Sequence, residues 1–485
     1  MDEANPLLSK GKASTTLKQL EIVAFGFGNI QNDICGAMVL GYLLVFHTMV
    51  LKLSNESATL IVMVSLLADG LSTILVGYLM TQTKKCWFCK KYGNLKSWLL
   101  LGTVLEIITF PLVFRKSVLY DHTYASETEL VIYYGVVNTV FAFGWAVSQI
   151  SHLSMITAKS SFKMDWYILT SSRNLGMVFA NLVVITLFAI FLSKEKKVLP
   201  VDHINFEIID LCTLCIGALA SLTFQFYFKL EDKDYERMPN TDNSCQSLSS
   251  NHSQTSLCNP DSDTITSLPK TNGEIKEEHT CTWLRQFKFY QVAITFMISR
   301  LFYTTVQTFL PLYVEYTLKK SAVHIAIIQA LVFFGGGLIS FSSQKLIGKC
   351  GLETLIASGS VIGMAMAAWI YVGVGQTFNR YQVYIMVIML GVVQSLFQIC
   401  GLAKIAELVG DSPDSSSNVY GFMCFTDKLL CGISVYFFEK LAPSTQNSLG
   451  GDFYRILIVA VFSGTSILLG SISTLVSSWT YLKSK

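Results

Sequence analysis

Residues 26–36 read GFGNIQNDICG and lie in the middle of an apolar run that extends from about Thr16 to Val50. A helix needs about 20 apolar residues to cross a bilayer, and this run has enough. A charged side chain at the bilayer centre costs at least about 2.5 kcal/mol, so it usually lines a cavity or meets a cation. Asp33 holds that central position, and Asp69 holds it in the next run. The two carboxylates predict a polar passage through a membrane.

The composition is typical of a multi-pass membrane protein. Of the 485 residues, 52% are hydrophobic and 14% are charged, whereas soluble domains carry about 25% charged residues. We therefore predict an all-α membrane protein, with twelve transmembrane helices in two six-helix bundles. The apolar runs lie near 20–48, 57–81, 97–115, 130–157, 166–193, 206–229, 287–316, 321–346, 351–375, 382–409, 416–441 and 452–481.

A polar, Ser-rich stretch from about Glu231 to Cys281 separates six runs from six and predicts a disordered linker. Short loops rich in Lys follow the second, fourth and eighth runs. Because such loops favour the cytoplasmic side, we expect both termini and the linker in the cytoplasm. The predicted segments are a tail (1–19), an N-terminal bundle (20–229), the linker (230–286), a C-terminal bundle (287–481) and a short tail (482–485).

The N-terminal tail contains a possible sorting signal. Glu3 stands four residues before the pair Leu7-Leu8, a spacing that resembles the acidic dileucine signals read by adaptor proteins. This pattern predicts a sorting adaptor as a partner and an endosomal or lysosomal destination, although a chance Leu pair gives the same letters.

Polar side chains inside the apolar runs mark the expected pathway for a substrate or an ion. Asn29 lies about one helical turn before Asn32 and Asp33, so the three supply oxygens to one region. Asp69 and Thr73, four residues apart, share a face of the second run. The predicted pathway residues are Asp33, Asp69, Asn29, Asn32, Thr73, Gln149, His152, Arg173, Arg300, Asp427 and Lys428.

Structural roles are the alternative for several of these residues. Asp33 or Asp69 could form a buried ion pair with Arg173 that only holds helices together. Such pairs stabilise weakly after desolvation, which favours the functional interpretation. Gln149 and His152 could equally form an ordinary hydrogen bond between helices.

In the C-terminal bundle, the directions of neighbouring side chains limit which partners the charged residues can have. Asp427 and Lys428 are neighbours whose side chains point about 100° apart on a helix, so we expect each to have its own partner. Arg300 lies near the middle of the seventh run. Lys404 and Glu407, one turn apart near a helix end, predict an interfacial salt bridge with each other.

Two six-helix halves joined by a cytoplasmic linker resemble the major facilitator superfamily, whose members rock about a central site. The segments around Asp33 and Asp69, with Tyr92-Gly93-Asn94-Leu95-Lys96-Ser97-Trp98, are similar to the melibiose-type, or glycoside-pentoside-hexuronide, cation symporters. The resemblance implies sugar binding at Asp33, cation binding at Asp69, and a basic pair at Arg173 and Lys428.

The sequence departs from that symporter family at two positions. Thr73 stands where the family has a second cation-binding aspartate, and Gln149 stands near its fourth-helix aspartate. A site with fewer anions holds a desolvated cation less well. The departures therefore argue against sodium coupling and sugar specificity.

Longer segments are similar to a lysosomal and melanosomal transporter family within the superfamily. They are Ala68-Asp69-Gly70-Leu71, Phe143-Gly144-Trp145, Gln149-Ile150-Ser151-His152-Leu153-Ser154, Gln307-Thr308-Phe309-Leu310-Pro311-Leu312 and Asp427-Lys428. The resemblance implies cysteine import into the organelle. The residues themselves indicate only a cavity with both signs of charge, which suits a zwitterion better than a neutral sugar.

Other interpretations stay open at this point. They are a sugar symporter coupled to a proton or to sodium, a lipid transporter, a non-transporting scaffold, and a plasma-membrane location. No nucleophile–base arrangement, metal-ligand pattern or phosphate-binding loop is evident in the sequence. We therefore expect a transporter in a lipid bilayer with a small-molecule substrate, and no enzyme, cofactor, metal or nucleic-acid partner.

Overall fold

A computed structural model describes residues 17–83, 92–119, 125–192, 203–230, 282–320, 322–373, 375–410, 415–441 and 449–484. The sorting residues Glu3, Leu7 and Leu8 and most of the predicted linker lie outside these ranges. At the end of the linker, Thr282–Arg285 forms a 3-10 helix, and the Trp283 ring packs 4.7 Å from that of Phe289.

The regular structure of the described residues is entirely helical, which confirms the predicted fold class. The helices are α1 (Gln19–Phe27), α2 (Ile30–Val45), α3 (Asn55–Gln82), α4 (Asn94–Val113), α5 (Glu127–Lys159), α6 (Lys163–Leu192), α7 (His203–Tyr227), α8 (Phe287–Leu312), α9 (Ala322–Cys350), α10 (Leu352–Val372), α11 (Val383–Val409), α12 (Ser416–Leu441) and α13 (Leu449–Ser484).

Within the described ranges, 11 helical segments are long and apolar enough to cross a membrane, with α1 and α2 counted as one. Helix α8 has the length, with 26 residues, but is not among them. Helices satisfy every backbone hydrogen bond internally, which is why apolar runs adopt this form in lipid.

The first predicted run is interrupted in the structure at Gly28 and Asn29, between α1 and α2. A Cβ added to Gly28 would lie 2.5 Å from the Phe224 ring and 2.8 Å from His152, so only glycine allows this close approach. Discontinuous membrane helices often form transporter binding sites. The break places Asp33 in the first turn of α2.

The two halves share local backbone features. A short π-helix extends both α2 and α8, and a lysine with positive φ follows each one: Lys52 at 60° and Lys319 at 52°. Gly93 and Gly351, at φ values of 92° and 80°, precede the third helix of each half. Positive φ suits glycine because it has no Cβ. These pairs show that the two halves share local backbone geometry.

The hydrophobic cores show where the halves meet. One core combines both halves and includes Phe25, Phe228, Phe289 and Val409. Two other large cores draw their buried members from one half each. The shared core lies at the helix ends that carry Lys159, Lys163 and Lys349, which we name the basic end. The halves therefore pack together at the basic end.

Helices α3 and α12 cross closely near the basic end. A Cβ added to Gly77 would lie 2.6 Å from the Ser417 carbonyl oxygen, and one added to Gly421 would lie 2.5 Å from that of Thr73. The absence of a side chain at both glycines lets the two backbones touch. This crossing fixes the depth at which charged residues on α3 and α12 face each other.

Helices α6 and α9 make a second contact between the halves. The Ser171 and Ser343 hydroxyls are 2.7 Å apart, and the Asn174 amide donates to the Ser340 hydroxyl at 2.7 Å. These residues also lie in the parts of α6 and α9 nearer the basic end. The described contacts between the halves thus correspond to a state closed at the basic end.

Candidate functional site

A buried ion pair connects the two halves at mid-depth. The Lys428 Nζ on α12 lies 2.5 Å from the Asp69 Oδ1 on α3, and these side chains are 16% and 2% exposed. The same ammonium lies 5.4 Å from the centre of the Trp145 ring. Because both charges are nearly removed from water, loss of either partner leaves an uncompensated charge.

A second ion pair lies within the C-terminal half. The Arg300 Nε on α8 donates to the Asp427 Oδ2 at 2.9 Å, and the guanidinium carbon lies 4.9 Å from the Tyr303 ring centre. Asp427 and Lys428 therefore have separate partners on α8 and α3. This confirms the expectation from their side-chain directions.

Asp33 is held by its own helix and keeps one oxygen unpartnered. The Asn29 amide donates to the Asp33 Oδ1 at 2.8 Å, whereas the Oδ2 atom is buried and has no hydrogen-bond partner among the described residues. The first turn of a helix favours negative charge, because its free backbone N–H groups point toward the N-terminal end and carry partial positive charge. The start of α2 thus supports a carboxylate with an oxygen available for a ligand.

Arg173 supplies the opposite charge near Asp33. Its side chain on α6 is buried and interacts electrostatically with Asp33. Within the described part of the chain, its Nε has no hydrogen-bond partner. Neither residue forms a direct ion pair with another described residue. Arg300 also acts electrostatically on Asp33. The predicted Asp33 and Arg173 are therefore neighbours that leave hydrogen-bonding capacity unused.

Asn32 connects this region to a carboxyl group that sequence analysis missed. Its amide donates to the Glu106 Oε1 at 3.1 Å and to the Trp145 carbonyl at 2.8 Å. Glu106 on α4 is fully buried. The sequence could have identified Glu106 in the same way as Asp33, because it is a carboxylate inside an apolar run. The buried Asp210 on α7 has the same property.

Two predicted pathway residues, Thr73 and His152, make contacts typical of helix packing. The Thr73 hydroxyl donates to the carbonyl of Gly70 at 2.7 Å. The His152 Nε2 lies 2.9 Å from the Phe25 carbonyl, and its ring stacks on that of Phe25. For His152 this is the structural alternative considered from the sequence. Gln149 is half-buried, and its Oε1 has no hydrogen-bond partner.

Amide side chains form a polar patch on the C-terminal half that the sequence analysis did not select. The Gln398 amide donates to the Met177 sulfur at 3.3 Å, which links α11 to α6. The Gln307 amide donates to the Gln394 Oε1 at 3.4 Å. Gln394 and Gln398 are one helical turn apart, and this spacing was the available signal.

The predicted salt bridge between Lys404 and Glu407 is wrong. Lys404 pairs with Glu353 on α10 at 2.8 Å, while Glu407 accepts a hydrogen bond from Tyr167 and lies 3.6 Å from the Lys163 ammonium. Each residue instead meets an oppositely charged side chain on another helix. Glu407 thus joins the halves at the basic end.

Comparisons with known proteins agree with this architecture. Residues 24–253 match the family described as MFS/sugar transport protein. Among solved structures, a bacterial homologue of the iron transporter ferroportin in an outward-facing state has a TM-score of 0.61 at 10% identity, covering 95% of this chain and 100% of that chain. The E. coli fucose:proton symporter has a TM-score of 0.58 at 13% identity, covering 93% and 97%. These likenesses show the fold.

Sequence relatives cover almost the whole chain. Major facilitator superfamily domain-containing protein 12 of Homo sapiens is 30% identical over 476 residues, covering 94% of this chain and 93% of the relative. The protein of the same name from Mus musculus is 28% identical, covering 93% and 92%. The chain is therefore an integral membrane protein of the major facilitator superfamily, a family of transporters, and belongs with major facilitator superfamily domain-containing protein 12.

Proposed function

We propose that this protein moves a small zwitterionic amino acid, with cysteine as the first candidate, across an organelle membrane by alternating access. The observation that carries the proposal is the pairing of unused groups near the α1–α2 break. Asp33 keeps an unpartnered carboxylate oxygen, and Arg173 keeps an unpartnered guanidinium nitrogen. A zwitterion presents an ammonium and a carboxylate that complement these two groups.

In this mechanism Asp33 binds the substrate ammonium and Arg173 binds its carboxylate. Asn29 orients Asp33 through the bond at 2.8 Å, and Arg300 adds positive charge at the second half. Opening the basic end requires separation of α3 from α12, and therefore rupture of the Asp69–Lys428 pair. By the positive-inside rule the basic end faces the cytosol, so the described state is closed to the cytosol.

The test is uptake of labelled L-cysteine by purified protein in proteoliposomes. We expect Asp33→Asn to abolish saturable uptake and Arg173→Lys to weaken it, because lysine cannot reproduce the planar guanidinium geometry. Asp210→Asn is the matched control, since it neutralises another buried carboxyl group, on α7. Normal cysteine uptake by a well-folded Asp33→Asn protein would refute the assignment.

A sugar–proton symporter is the second candidate. The match to the family described as MFS/sugar transport protein and the likeness to a fucose:proton symporter favour it. In the same proteoliposomes, proton-dependent uptake of labelled fucose or melibiose, with no uptake of cysteine, would select this candidate. Inhibition of cysteine uptake by other zwitterionic amino acids, but not by these sugars, would reject it.

We propose that the protein resides in a lysosome-related membrane and that a sorting adaptor directs it there by binding the N-terminal tail. Glu3, Leu7 and Leu8 support this through their spacing. Replacing both leucines by alanine should move the protein to the plasma membrane, which fluorescence microscopy can measure against a Ser9→Ala control. Unchanged organelle location of the double variant would remove the tail signal from the proposal.

A further inference from the structure

Glu106 is a buried carboxyl group that has no cationic partner among the described residues. Asp69 pairs with Lys428 and Asp427 pairs with Arg300, whereas Glu106 accepts a hydrogen bond from the Asn32 amide at 3.1 Å. Its Oε2 is buried close to the Ser148 hydroxyl. A fully buried carboxylate without a cation is strongly disfavoured, so this geometry favours the neutral, proton-bearing form.

The position of Glu106 follows from close helix packing. A Cβ added to Gly144 on α5 would lie 2.8 Å from the Leu105 Cβ on α4, so the two helices touch at this level. The contact brings Glu106 and Ser148 together beneath Asn32. The carboxyl group is therefore set by rigid elements rather than by a loop.

The groups that face Glu106 decide when it can ionise. From α2 these are Asp33 and the Cys35 thiol, and α5 contributes the Ser148 hydroxyl. Asp210 on α7 acts on Cys35. A neighbouring negative charge on Asp33 disfavours a second negative charge on Glu106. An ammonium group bound to Asp33 would cancel that repulsion.

We propose that Glu106 holds a proton while the site is empty and releases it when a cationic amine binds Asp33. Asn32 transmits the change, because it donates to Glu106 and accepts a hydrogen bond from Asn29, which also donates to Asp33. The substrate amine and the proton then occupy the site alternately, which makes transport an exchange of one for the other. This inference rests on the proposed function and identifies the coupling ion as a proton, exchanged for one substrate molecule.

The experiment is calorimetric titration of the purified full-length protein with L-cysteine under reducing conditions. Repeating it in two buffers of different ionisation enthalpy counts the protons released. For the wild type we expect about one proton per bound substrate. Glu106→Gln, which keeps an acceptor for Asn32, should bind cysteine without releasing a proton. Asp210→Asn is the control and should release protons like the wild type.

The outcomes separate the two proposals. No cysteine binding by the wild type overturns both. Binding without proton release by the wild type, or unchanged release by Glu106→Gln, overturns the role of Glu106 and leaves the amino acid substrate intact. Loss of release in Asp210→Asn, with release retained in Glu106→Gln, assigns the proton to α7 and also refutes the inference. If Glu106→Gln fails to fold, binding without proton release by the wild type still refutes the inference.

Discussion

Substitution of Lys428 by methionine should open the basic end. The variant keeps side-chain length but leaves the Asp69 carboxylate, 2% exposed, without the ammonium that now lies 2.5 Å away. Removing one partner of a buried pair costs about 3 to 5 kcal/mol. Because Lys428 is 16% exposed, we take the lower value of about 3 kcal/mol, which corresponds to a shift of about a hundredfold in an equilibrium.

Hydrogen–deuterium exchange with mass spectrometry measures this shift. Since the Asp69–Lys428 pair joins the halves, backbone amides of α3 and α12 near the basic end should exchange up to about a hundredfold faster in Lys428→Met. Peptides from α10 serve as an internal reference, because α10 packs within the second half. The exchange rate of these peptides should stay constant.

Two further variants test the reasoning. Asp69→Asn combined with Lys428→Met removes both charges and should return exchange close to the wild-type rate, because neutral replacement of a buried pair is often tolerated. Arg455→Met breaks the exposed pair with Asp452 and should change little. Unchanged exchange in Lys428→Met, or no recovery in the double variant, would refute a gating role for the pair.

Three other substitutions have defined outcomes. Gly421→Ala places a Cβ 2.5 Å from the Thr73 carbonyl and should lower stability by about 1 to 3 kcal/mol, read as a lower melting temperature. Tyr167→Phe deletes the hydrogen bond to Glu407; exchange at the end of α11 should rise by up to about tenfold. Lys96→Met removes the ammonium that binds two carbonyls at the end of α7, and should lower the melting temperature by leaving them unpaired; an unchanged melting temperature would contradict this.

Features set by local sequence were predictable. The apolar runs near 57–81 and 416–441 correspond to α3 and α12 within a few residues, because length and hydrophobicity alone determine a membrane helix. The separate partners of Asp427 and Lys428 followed from the angle between adjacent side chains. Neither result required knowledge of which helices are neighbours.

Features set by tertiary packing were not predictable in the same way. The cations that meet Asp69 and Asp427 are far away in sequence, so only the packing of α3, α8 and α12 selects them. The Lys404–Glu407 expectation failed because both residues found partners on other helices. The close approach of Phe224 to Gly28 comes from the packing of α7, which no local pattern contains.

The two ion pairs should respond differently to alternating access. Asp427 and Arg300 both belong to the C-terminal half, so this pair can persist when the halves rotate, whereas the Asp69–Lys428 pair crosses between halves and must break. The electrostatic barrier to opening is then concentrated at Lys428. Because a ligand shifts a conformational equilibrium only through differential affinity, a substrate accelerates opening only if it binds more tightly after the Asp69–Lys428 pair has broken than before.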